Sequence, residues 1–176
     1  MATAADRAPL DAWRQRFWLC LAGGIFSLIV LRSISEWRES HALLINSSDS
    51  LPNWAFLIHR GQVPEKGDYV FFDPPQSTLL RRHFGASPKI FGKIVYGMPG
   101  DVIGHVGSTV TINGKLSVRR KPRSRQGEPL TQGPEGPVPV GCYFVATPHR
   151  DGFDSRYGEI GFVCARQLVG IGTPIL

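Results

Sequence analysis

Residues Phe17 to Leu31, FWLCLAGGIFSLIVL, carry no charged side chain. A helix built from them is apolar on every side, so it suits a bilayer better than the surface of a water-soluble domain. The run is shorter than the roughly 20 residues that cross about 30 Å of hydrocarbon. Trp13 and Trp37 bracket it as interface anchors do, and Arg14, Arg16 and Arg32 stand where long side chains snorkel. A cleaved signal peptide fits less well, because the following RSISEW is bulky and charged where small residues would precede a cleavage site. The expectation is one uncleaved transmembrane helix over 17–37, after a cytoplasmic tail over 1–16. Arg7, Arg14 and Arg16 precede the run and Arg32 and Arg38 follow it, a weak bias that puts the N-terminus inside and the rest of the chain outside.

Beyond residue 41 the pattern changes to short runs rich in β-branched and aromatic residues: HALLIN, NWAFLIHR, GDYVFFD, KIVYGM, DVIGHV, STVTI, KLSVRR, VGCYFVATP and EIGFVCARQLVGI. Twenty Gly and 14 Pro among 176 residues agree with many turns and argue against a helical bundle. TINGKLSV reads as a hairpin with Asn113-Gly114 in a type I′ turn. QSTLLRRHFG reads as a short helix capped by Ser77 or Thr78. The Pro- and Gly-rich stretch 121–137 is expected to be an exposed loop. One mainly antiparallel β domain over 41–176, in packed sheets or a partly closed barrel, follows from these runs.

The net charge of +6 is concentrated at Arg81-Arg82 and in RRKPRSR, Arg119 to Arg125. No aromatic residue interleaves with these charges, so a solvated loop is favoured over a nucleic-acid groove. The histidines and three cysteines show no metal-ligand spacing, and no metal or cofactor is expected. For Cys142 and Cys164, a disulfide in an exported domain and a pair of free thiols stand as equal readings.

Three stretches could carry chemistry. In NSSDSLPNW, Pro52 restrains Leu51 towards an extended backbone and so holds Ser50 in a constrained position, with Ser48 two residues before it. Taken alone this is most simply a polar turn. In FGKIVYGMPGDVI, Lys93 sits among apolar neighbours; on a strand it shares a face with Val95 and Gly97, opposite Ile94, Tyr96 and Met98. Burial would lower its pKa and make it a competent base, while an ordinary strand would leave it solvated. In HRDGFDSRYG, Asp154 and Arg156 can brace a loop through charge-assisted hydrogen bonds. His149 and Asp151 raise a Ser/His/Asp alternative, although no G-x-S-x-G elbow occurs.

Together and in this order, SDSLP, KGDYVFF, KIVYGMPGD and FDSRYG resemble the boxes of the type I signal peptidase superfamily of Ser/Lys peptidases. The short chain, the one N-terminal span and the spacing Ser50-Leu51-Pro52 resemble most its conjugative-transfer TraF-type branch, which matures pilins. The resemblance implies Ser50 as nucleophile, Lys93 as general base, Ser48 and the Ser50 N–H as oxyanion donors, and Asp154 and Arg156 as structural support. It implies a single-pass inner-membrane enzyme with a periplasmic catalytic domain. Its substrate would be a propilin or other membrane-inserted pre-protein, with components of a conjugative or type IV secretion apparatus as partners and no nucleic acid. Hydrolysis and ring closure of the acyl-enzyme both stay open, as do leader-peptide removal and a non-catalytic β module of a pilus assembly. Two positions depart from the pattern. Gly152 replaces a serine that commonly helps orient the lysine, and Asp49 replaces a small residue, so its carboxylate is expected to point away from Lys93. Trp54, Phe56, Phe71 and Phe72 are read equally as membrane-interface contacts and as β core.

Overall fold

The computed structural model describes residues 8–48 and 50–175, so the expectation for Asp49 lies outside the described residues. The chain divides at Ser40/His41 into two compact units. The first is one helix, α1 (Ala8–Ser40), which extends beyond the apolar run at both ends. Its 33 residues span about 50 Å at 1.5 Å each. Trp18, Leu19, Phe26, Leu28 and Leu31 are exposed along it, and it is long and apolar enough to cross a membrane.

The second unit holds β1 (His41–Ile45), β2 (Ala55–His59), β3 (Tyr69–Phe72), α2 (Thr78–Phe84), β4 (Phe91–Gly97), β5 (Val102–Val106), β6 (Thr109–Ile112), β7 (Lys115–Arg119), β8 (Gly136–Pro137), β9 (Cys142–Ala146), β10 (Val163–Cys164) and β11 (Leu168–Pro174). A seven-stranded sheet runs β1-β2-β11-β3-β4-β9-β10 and a four-stranded sheet β7-β6-β5-β8, with antiparallel pairing throughout. The fold is mainly β, as the runs predict.

β9 shows why two sheets form. All five of its residues are buried, which a strand with one wet face could not achieve. Tyr143 and Val145 join a core with Val70, Phe72, Leu80, Val95 and Val163, while Cys142, Phe144 and Ala146 join another with Ile103, Val110, Ile112 and Val138. β9 therefore faces a different core on each side. A third cluster gathers Leu51, Phe56, Ile58 and Phe71. Phe56, Phe71 and Phe72 are thus core residues, and of the four aromatics only Trp54 is exposed.

Local signals were realised where they were strongest. Asn113 and Gly114 both take positive φ, at 51° and 76°, between β6 and β7. Ser77 Oγ accepts the Leu80 N–H at 3.0 Å and caps α2. The run EIGFVCARQLVGI is divided between β10, a 3₁₀ turn (Ala165–Gln167) and β11, which lie at separate places in the sheet. Cys142 and Cys164 are register partners of β9 and β10 and form a disulfide.

The stretch 121–137 is tied down more than its composition suggests. Lys121 N–H donates to Tyr157 Oη at 3.0 Å, Gly133 N–H to Arg156 O at 3.0 Å, and Gly158 N–H to Thr131 O at 3.2 Å. Glu128 binds Arg82 and His83 of α2. Asp151 accepts from Lys121 and, at 2.8 Å, from Arg125. The basic cluster is therefore partly neutralised by ion pairs within this unit.

Candidate active site

The loop between β1 and β2 is organised by Asn46. Its N–H donates to Trp54 O at 2.7 Å, closing the loop. Its side-chain amide donates to Leu51 O at 3.2 Å and to Asn53 O at 3.0 Å. Its Oδ1 accepts from both the N–H and the Oγ of Ser48, each at 3.1 Å. Ser48 Oγ lies 2.8 Å from Ser50 Oγ. Asn46 thus positions both serines. The sequence reading did not single it out, although an Asn two residues before a serine is a known source of such side-chain-to-backbone turns.

β4 brings Lys93 to the same place. Lys93, Val95 and Gly97 form its buried face, in the alternation expected, and Lys93 is only 5 % exposed. The solvated-strand reading of this lysine is overturned. Its ammonium stands 5.7 Å from the centre of the Phe91 ring. Among the described residues no carboxylate lies within ion-pair distance of it. Burial pulls its pKa below the ordinary 10.5; the Asp154 charge opposes that fall and the Arg156 charge adds to it.

Gly92 connects loop and strand. A Cβ there would lie 2.8 Å from Phe71 Cε1 and 3.0 Å from Leu51 Cδ1, so its absence lets Leu51 pack against β4 beside Lys93. Leu51 is buried and directly follows Ser50. Ser48, Ser50 and Lys93 consequently line one cavity of about 1010 Å³. Phe91, Gly152 and Tyr157 line it too, and its size suits a peptide segment.

Asp154 and Arg156 lie behind this cavity, both fully or almost fully buried. Arg156 Nε donates to Asp154 Oδ1 at 2.7 Å and Nη2 to Oδ2 at 2.8 Å, a bidentate pair. Arg156 also donates to Thr147 O at 2.7 Å and Arg119 O at 2.9 Å, while Asp154 Oδ2 accepts the Thr147 N–H at 3.1 Å. The pair therefore fixes the end of β9 next to β4. A Cβ on Gly152 would lie 2.3 Å from Thr147 Oγ1 and 2.8 Å from Arg156 Nη2. A serine has no room there.

The Ser/His/Asp alternative fails on geometry. Asp151 pairs with Lys121 and Arg125, and its N–H, not its carboxylate, meets His149 Nδ1. What remains is a serine hydroxyl, a second hydroxyl beside it and a buried amine around one cleft. Such a set can supply a nucleophile, an oxyanion donor and a base.

Residues 15–175 match the family described as signal peptidase, peptidase S26. This chain belongs to the S26 signal peptidase family. Membership makes it a serine peptidase by family and a hydrolase by reaction class. No curated protein matches the chain. Among solved structures, the crystal structure of a signal peptidase I from Enterococcus faecalis V583 is similar at 24 % identity and a TM-score of 0.38, covering 64 % of this chain and 98 % of that one. S26 signal peptidases are membrane-associated, in keeping with α1.

Proposed function

We propose that this S26 peptidase is a membrane-anchored endopeptidase that cleaves membrane-inserted pre-proteins through a Ser50/Lys93 dyad. The observation that carries the reading is a lysine 5 % exposed, with a depressed pKa, lining one cavity with Ser50. Neutral Lys93 takes the Ser50 proton as Oγ attacks the scissile carbonyl. Ser48 Oγ and the Ser50 N–H hold the oxyanion, and Lys93 then protonates the leaving amine. The acyl-enzyme passes to water or to an incoming amine. Asp154 and Arg156 keep the wall behind Lys93 in place.

The substrate class follows from resemblance in sequence. Ser50-Leu51-Pro52 and the apolar helix before it support a propilin of a conjugative apparatus. Leader peptides of exported proteins are the second reading, favoured by the match to the signal peptidase family. In either case α1 anchors the enzyme in the inner membrane with its N-terminus cytoplasmic and its β domain periplasmic. The Cys142–Cys164 disulfide suits that oxidising side.

The test is mass spectrometry of a candidate propilin and of a leader-bearing pre-protein, each co-expressed with the wild type, Ser50→Ala or Lys93→Ala. Processing by the wild type alone is expected, and the mass of the mature propilin shows whether its ends are free or joined. Normal maturation by either variant sinks the dyad and leaves a non-catalytic β module.

A further inference from the structure

We propose that Thr147 is a positioning residue for Lys93: its hydroxyl accepts one hydrogen bond from the Lys93 amine and so keeps the amine lone pair directed at Ser50 Oγ. The inference rests on the Ser50/Lys93 dyad proposed above.

Three observations carry it. First, β4 and β9 pair with Ile94 opposite Ala146 and Val95 opposite Val145, and continuing that register by one residue sets Thr147 opposite Lys93. Opposed residues of an antiparallel pair project from the same face, with Cβ atoms about 4.5–5.5 Å apart. Thr147 is in step with Tyr143 and Val145, and Lys93 with Val95, all on the side of one core. Second, Thr147 is fully buried and its Oγ1 has no hydrogen-bond partner among the described residues. The backbone of Thr147 is satisfied by Asp154 and Arg156, so those contacts do not require a threonine. A valine would fill the same space without the cost of an unpaired buried hydroxyl. Third, Lys93 makes no hydrogen bond or ion pair with a described residue, so a buried donor and a buried acceptor fall at opposed positions of the continued register. A rotamer change of the lysine brings them together.

The same atoms explain Gly152. Thr147 Oγ1 stands 2.3 Å from where a Cβ of residue 152 would be. The space that a serine side chain at 152 would use is filled instead by the hydroxyl of Thr147, the residue after β9. Thr147 was not identified from the sequence, where nothing marks it out from the other threonines.

The experiment uses the full chain in detergent micelles, with Thr147→Val, Thr147→Ser, Ser50→Ala and Lys93→Ala. With ¹³C-labelled lysine, the Cε signals of Lys66, Lys89, Lys93, Lys115 and Lys121 are followed with pH, and Lys93 is assigned by its loss in Lys93→Ala. This arm needs no substrate. Losing an acceptor for the ammonium is expected to lower the Lys93 midpoint by about one pH unit in Thr147→Val, and Thr147→Ser to restore it. On a quenched fluorescent peptide with an Ala-x-Ala cleavage site, Thr147→Val is expected to lose kcat about ten- to hundredfold with little change in KM. Equal midpoints in wild type, Val and Ser overturn the proposal, and a loss of kcat with an unmoved midpoint assigns Thr147 to packing alone. If Thr147→Val does not fold, Thr147→Ala against Thr147→Ser is read in the same way. Cleavage retained by Lys93→Ala overturns the dyad itself, an outcome separate from any behaviour of Thr147.

Discussion

At Lys93, burial removes the hydration that an ammonium depends on, and the consequences extend to both stability and rate. Below its folded-state pKa the amine is charged in both states, and the cost of burying that charge falls fully on the folded protein. Between that pKa and 10.5 the unfolded chain holds a proton that the folded chain lacks, so stability rises with pH through this window. Each pH unit of depression corresponds to about 1.4 kcal/mol. Lys93→Met is therefore expected to be more stable than the wild type near neutral pH, with the gap closing as pH approaches 10.5, and urea unfolding across that range measures it. Peptide cleavage by the wild type is expected to fall as pH drops through the folded-state value, because an ammonium cannot act as a base. A cleavage rate unchanged on that acidic side would count against Lys93 as the base.

Among the elements, β4 and the Asn46–Trp54 loop depend on each other through Gly92. Gly92→Ala forces Phe71 and Leu51 aside, with an expected loss of about 1–3 kcal/mol in thermal unfolding and a drop in kcat larger than the drop in stability explains. An unchanged kcat would mean that the packing of Leu51 does not hold Ser50 in place. The sequence made much of this element level legible. Asn113-Gly114, the Ser77 cap and the alternation around Lys93 are local signals, and each is realised. The signals that were missed are non-local. EIGFVCARQLVGI reads as one apolar run, yet its halves pair with β9 and with β2 and β3, which no nearby residue announces. Gly152 departs from the family pattern for a reason that is not local: Thr147, Asp154 and Arg156 occupy the space around it. The loop over 121–137 looked solvated because its anchors, Tyr157, Asp151 and α2, come from distant parts of the chain.

At the scale of the whole molecule, α1 is an apolar helix and the β unit is a separate compact body with its own cores. The Cys142–Cys164 disulfide, closing a 22-residue separation, is expected to contribute about 3 kcal/mol. Cys142→Ser/Cys164→Ser should melt lower than the wild type without reductant and match it with reductant; equal melting under both conditions would show that the bond is not formed in the protein. The same bond has a second effect. β10 is an edge of the seven-stranded sheet only two residues long, and its covalent link to β9 keeps that margin from fraying and from recruiting a foreign strand. The other margin is β1, five residues that run directly into Asn46, Ser48 and Ser50. An unfolded segment that adds itself to this sheet is thus left one margin of useful length, and following it leads to the loop that holds Ser50.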